Sequence, residues 1–116
     1  MTIRSTETEQ TTVVEMAGSM AAIDIPRLHS HLTELLRARR KSIVLDFGAV
    51  EHVSYQDASN LAREFELVRS HNGTMKVAGL SPYVRNILLF AGLSDFLDVH
   101  MTGYATLDPA RTPQAS

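Results

Sequence analysis

Asp46, Glu51 and His52, all within one short stretch, are the best material this sequence offers for acid–base or metal chemistry. His52 beside Glu51, in what reads as a loop, could serve as a general base. Asp46 at a strand end could join an acidic metal pocket, but such a pocket needs several carboxylates and Glu51 is the one acid nearby. His29 and His31 are two positions apart, so on a helix they point to different faces and cannot share a metal. With no cysteine there is neither a thiol nucleophile nor a disulfide. No Gly-x-Ser-x-Gly elbow exists, and no phosphate loop either, since Gly18-Ser19-Met20 holds a single glycine. An enzymatic or ligand-binding role would have to rest on the His52/Asp46 region. The sequence points instead to a protein that is not an enzyme, with no cofactor and no metal.

Recognition chemistry is better represented. Ser54 is followed three residues later by Asp57, a capping pattern placed just before the apolar positions Ala58, Leu61, Ala62 and Phe65. A helix N-terminus carries unpaired N–H groups and a partial positive charge. Ser54-Tyr55-Gln56-Asp57 therefore has two readings: a cap worth about 1 kcal/mol, or an exposed platform whose side chains choose a partner.

The elements that would hold this platform follow from periodicity. Residues 2–8 alternate polar and β-prone types, as in an edge strand, and Glu9-Gln10 would turn it into a strand from Thr11 to Met16 that Gly18 ends. A first helix opens between Ala21 and Leu28, with Asp24 as N-cap, Pro26 in the first turn and a stripe of Ile25, Leu28, Leu32, Leu35 and Leu36. The basic cluster Arg37 to Lys41 falls at its C-terminal end, where cations complement the helix dipole. Ile43 to Phe47 is a buried strand, and a short loop leads to a second helix from about Tyr55 to Ser70, closed by Asn72 and a left-handed Gly73. A strand from Thr74 to Gly79 precedes a third helix, with Ser81 as N-cap and Pro82 at its first position. Phe96 to Met101 suggest a last strand. From Thr102 on, with Pro109 and Pro113, the composition is that of a tail.

The order β-β-α-β-α-β-α-β implies an α/β domain, a mixed sheet of about four to five strands packed by helices. Its bounds are residues 1–102, with a flexible C-terminal tail over 103–116. A chain of 116 residues, 44% of them hydrophobic, suffices for one core. The net charge of −2, spread in both signs, argues against a nucleic-acid partner. The longest apolar runs fall far short of the roughly 20 residues of a membrane helix, so no membrane insertion is expected. With no apolar leader at the N-terminus, the expected location is cytoplasmic.

Three motifs, in this order, resemble the STAS domain family of bacterial anti-sigma factor antagonists. Val44-Leu45-Asp46-Phe47-Gly48-Ala49-Val50 through Asn60-Leu61 is similar to the family's V-L-D-L, small pair, Val, then I-D-S-S-G-L. Gly79-Leu80-Ser81-Pro82-Tyr83-Val84 with Leu88, Ala91-Gly92-Leu93 and Phe96 resembles S-P-x-V-x-x-x-L, then G-L and Phe. Gly18-Ser19-Met20 with Pro26-Arg27-Leu28 resembles G-E-L-D and A-P-x-L. The resemblance implies a STAS-type single domain that regulates transcription by partner switching. Its partner would be an anti-sigma factor/serine kinase of the histidine-kinase-like ATPase type, bound through the start of the second helix. An accessory subunit of an ABC-type lipid transporter or of a larger signalling assembly is the alternative, and a homodimer is left open.

Carried over residue by residue, the pattern sets Ser54 on the family's Asp, Tyr55 on the first Ser, Gln56 on the usual phosphoacceptor and Asp57 on the Gly. Ala21 takes the place of the Asp of G-E-L-D. Gln56 cannot be phosphorylated, so the resemblance implies that the usual switch is lost, with Ser54 and Ser59 as substitute acceptors. The partner-binding residues it implies are Ala21, Asp24, Ser54, Tyr55, Gln56, Asp57 and Asn60.

Overall fold

The apolar run that begins at Ile43 does not stop at Phe47. In the computed structural model, which describes residues 1–94 and 97, it is the start of an eleven-residue strand, Ser42–His52. The elements are β1 (Thr2–Glu7), β2 (Thr11–Ser19), α1 (Asp24–Arg37), β3 (Ser42–His52), α2 (Tyr55–Ser70), β4 (Thr74–Ala78) and α3 (Pro82–Phe90). The strands form one sheet in the order β1-β2-β3-β4. β1 pairs antiparallel with β2, while β2–β3 and β3–β4 are parallel, so the sheet is mixed. The expected α/β order is present as β-β-α-β-α-β-α. The proposed last strand, Phe96 to Met101, and the tail from residue 103 lie outside the described residues, Leu97 apart.

β3 lies between two parallel neighbours, so both of its edges are paired. Ile43, Leu45 and Phe47 point one way into the core, and Val44 and Asp46 are buried on the other. The core gathers the stripes of all three helices onto the first face: Leu28 and Leu32 of α1, Leu61 and Phe65 of α2, Val84 and Leu88 of α3. Each helix buries the i, i+3, i+4 positions that its periodicity requires.

Several local expectations are corrected by the structure. Gly18 does not end β2. It adopts φ +104° inside the strand, next to a register shift, and the pairing continues through Gly18↔Val50 and Ser19↔His52. At both register shifts the extra residue lies in β3, and such bulges add twist while β2 and β3 run on together. Residues 48–52, expected as a loop, are therefore strand, and Asp46 is mid-strand. Asn72 rather than Gly73 takes the left-handed conformation after α2, at φ 61°. Gly73 is needed for close approach, because a Cβ there would meet the Lys41 carbonyl oxygen at 2.8 Å and Val68 Cγ1 at 2.9 Å.

Arg40 is not a solvated helix-end cation. Its guanidinium donates to the carbonyls of Thr8 (2.7 Å), Glu9 (3.1 Å) and Thr11 (3.1 Å) and to Thr12 Oγ1 (3.0 Å). It thus pins the β1–β2 hairpin turn to the start of β3. Asp24, the expected N-cap of α1, is instead its first residue. The capping position is Ile23, in helical conformation and with no side-chain bond. The reason is that the Asp24 carboxylate turns back to accept from the Ala21 N–H at 2.8 Å.

Candidate functional site at the start of the second helix

The site is built where β3 ends. The Met20 N–H donates to the His52 carbonyl at 2.9 Å, drawing the link between β2 and α1 alongside the end of β3. Val53, fully buried, plugs the core and fixes the direction in which the chain leaves the sheet. Ser54 then caps α2: its Oγ accepts from the Asp57 N–H at 3.0 Å, and its carbonyl takes the first helical bond from Ala58 at 2.9 Å.

This first turn is divided between inside and outside. Tyr55 is 60% exposed and Gln56 is exposed, whereas Asp57 and Ala58 face in at 8% and 0%. Ser54, Ser59 and Asn60 are half-buried. The Ser59 hydroxyl is engaged within the helix, donating to the Tyr55 carbonyl at 3.1 Å.

The neighbouring link contributes Ala21, exposed, and Asp24, which is buried. Arg27 Nη1 donates to Asp24 Oδ1 at 2.7 Å and to the Met1 carbonyl at 2.8 Å. The Ala21 N–H holds the Asp24 carboxyl below the usual carboxylate range. Burial opposes this, and Arg27 and the chain's amino terminus reinforce it. Of the seven residues expected to meet a partner, Ala21, Tyr55 and Gln56 are open. Ser54 and Asn60 are partly so, and the two carboxylates are withdrawn.

Two neighbours of the site were not expected from the sequence. Tyr83, in the first turn of α3, shares a 2.6 Å hydrogen bond with His52 Nδ1, and the two rings stack with centroids 5.7 Å apart. Tyr83 remains 54% exposed, and Ile23 in the link is 71% exposed. Ser81 caps α3 by accepting from the Val84 N–H at 3.1 Å, as expected, and so fixes where Tyr83 emerges. Nothing local in the sequence marks the pairing of residues 52 and 83.

The acid–base candidates do not converge. Asp46 is buried and accepts from the Gly48 N–H at 2.8 Å, His52 is paired with Tyr83, and Glu51 is exposed. Glu51 and His52 are both exposed, at a register shift of β3 against β2. His29 Nδ1 lies 2.9 Å from Glu64 Oε1, bridging α1 and α2. Among the described residues no three His, Asp or Glu side chains are grouped as metal ligands would be. No helix among them is long and apolar enough to cross a membrane.

A four-stranded mixed sheet with three helices and an open N-terminal turn on the second is the arrangement of a STAS domain. The family model described as the STAS domain matches residues 2–110, and the chain belongs to that family. Among solved structures it is similar to an anti-sigma factor antagonist from Mycobacterium paratuberculosis, with 21% identity and a TM-score of 0.70 over 84% of this chain and 82% of that one. A substituted RsbS from Moorella thermoacetica aligns with 18% identity and a TM-score of 0.67, covering 79% of each chain. The phosphorylated form of the Bacillus cell fate determinant SpoIIAA aligns with 14% identity and a TM-score of 0.64, covering 83% and 88%. These likenesses show the fold. No curated protein sequence matches the chain.

Proposed function

We propose that this protein is a non-enzymatic regulator of the anti-sigma factor antagonist type. It binds an anti-sigma factor/serine kinase of the histidine-kinase-like ATPase class through the N-terminal end of α2. The observation that carries this is the open first turn of α2, with Tyr55 and Gln56 directed outward beside Ala21. Gln56 occupies the position where the family pattern has its phosphoacceptor. A carboxamide there accepts no phosphate, so the roughly −1.5 to −2 charge that would break a packed interface never arrives at that position. Ser54 and Ser59 are poor substitutes, since one hydroxyl caps the helix and the other is bonded within it. The interface is therefore constitutive, or controlled elsewhere than at residue 56.

The test is affinity purification from the native host with and without Gln56→Arg, followed by incubation of the captured kinase with the protein and ATP. Capture of a kinase-like ATPase by the wild type, its loss with Gln56→Arg, and no phosphate on Ser54 or Ser59 support the proposal. Capture that survives substitutions throughout residues 54–60 rejects the site. Capture of a transporter ATPase and permease instead would favour the accessory-subunit alternative. The neighbouring genes separate the two in the same way.

A further inference from the structure

We infer that the binding surface continues from the start of α2 to the first turn of α3, where Tyr83 is a contact residue for the same ATPase, and that His52 is the positioning residue that holds its ring. This rests on the proposed partner-binding role of the α2 end and names a second element of that interface.

A tyrosine in the first turn of a helix, with more than half its surface in water, moves among its rotamers unless something holds it. Tyr83 is 54% exposed, yet it is held twice. Its hydroxyl shares the 2.6 Å hydrogen bond with His52 Nδ1, and the two rings stack at an interplanar angle of 25°. His52 is itself fixed from behind. It is the last residue of β3, it pairs with Ser19 of β2, and its carbonyl accepts from the Met20 N–H at 2.9 Å. Support therefore runs from two strands through an imidazole to an exposed phenol ring.

The fold does not need that support. Val84 and Leu88 seat α3 in the core, and Ser81 caps it by accepting from the Val84 N–H. A hydrogen bond between two exposed side chains competes with water and adds little to stability. What the bond does is set the direction of the ring before a partner arrives. A tyrosine fixed in this way offers a large contact area at a small ordering cost, as interface anchors do.

Position ties this tyrosine to the α2 end. Only the buried Val53 separates His52 from the Ser54 cap. The side chain bonded to Tyr83 is thus the last of the strand before the turn that carries Tyr55 and Gln56, and the two helix starts form one continuous surface.

The test uses each histidine-kinase-like ATPase domain encoded in the same genome, purified and titrated calorimetrically with the full chain. Tyr83→Ala should weaken binding by about tenfold or more while leaving the melting curve in place. Tyr83→Phe, which keeps the ring and removes the hydroxyl, should weaken it by the same smaller factor as His52→Ala, about three- to tenfold. His52→Asn, whose amide can stand where Nδ1 does, should recover part of that loss. In a Tyr83→Ala background, His52→Ala should cost nothing further, because a positioning residue has nothing left to position. An ATPase whose binding is abolished by Gln56→Arg but unchanged by Tyr83→Ala overturns this inference and leaves the proposed function standing. So does a melting temperature that falls with each variant while affinity holds, which would make the pair a structural staple. A loss from His52→Ala that is the same with and without Tyr83 overturns the positioning role. If no ATPase binds the wild type, both the inference and the proposed function fall.

Discussion

The two ends of β3 treat their side chains in opposite ways. At its start, Arg40 spends its guanidinium on three hairpin carbonyls and a threonine hydroxyl, and Thr11 Oγ1 lies 3.2 Å from Ser42 Oγ. That end is polar and closed on itself. At the other end the backbone is as well satisfied, through Met20–His52 and the Ser54 cap, but Ile23, Tyr55, Gln56 and Tyr83 face outward. Polar groups there serve to withdraw charge or hold a ring, as Asp24 and His52 do. One end of the sheet is tied down by its own polar contacts, and the other is the end to which we assign binding.

Substitutions at the two ends should therefore separate stability from binding. The largest effect on stability belongs to Arg40→Ala, which strips the hairpin of four hydrogen bonds from one charged donor. We expect a loss of about 2–3 kcal/mol in urea unfolding, discounted for partial exposure, with partner affinity unchanged.

Asp24→Asn comes next, at about 1–2 kcal/mol, because it weakens a buried acceptor serving Ala21 and Arg27. Its pH signature has a definite sign. The folded pKa lies below the ordinary value of 3.8, so the contribution is full above that value and disappears as pH falls through the folded pKa. Stability curves of the wild type and Asp24→Asn should accordingly converge only below 3.8, as pH falls through the folded pKa. Curves that stay parallel there would assign the effect to packing.

Ser54→Ala should cost about 1 kcal/mol, the usual worth of an N-cap. Smallest in stability is Tyr55→Ala, within about 0.5 kcal/mol by thermal melting, although it should weaken partner binding most visibly. If Tyr55→Ala destabilised the fold as much as Arg40→Ala, the contrast between the two ends would collapse.

What could be read from the sequence is what short separations determine. The caps at Ser54 and Ser81, Pro82 at the head of α3 and the stripes of all three helices depend on residues three or four apart. Each is where periodicity puts it. The features missed depend on partners far along the chain. Residues 48–52 have weak strand character and are held by β2, roughly thirty positions earlier. Gly18 looks like a terminator until its pairing with Val50 shows that β2 runs through it. Arg40 reaches back to residues 8–12, and His52 meets Tyr83 across thirty-one positions. At the start of α2, the Ser54 cap itself was legible from its spacing to Asp57. The division of its side chains was not, because the withdrawal of Asp24 and Asp57 depends on how α1 and α2 sit against the sheet.

The most direct test is amide hydrogen exchange on the complex with the captured kinase, read at both ends of β3. The unpaired amides of the first turn of α2, at Tyr55 and Gln56, should exchange more slowly when the partner is bound, together with residues 20–23. The hairpin amides at residues 8–11 should be unchanged. Protection confined to the hairpin end, with residues 54–60 exchanging as in the free protein, would contradict the assignment of binding to the start of the second helix.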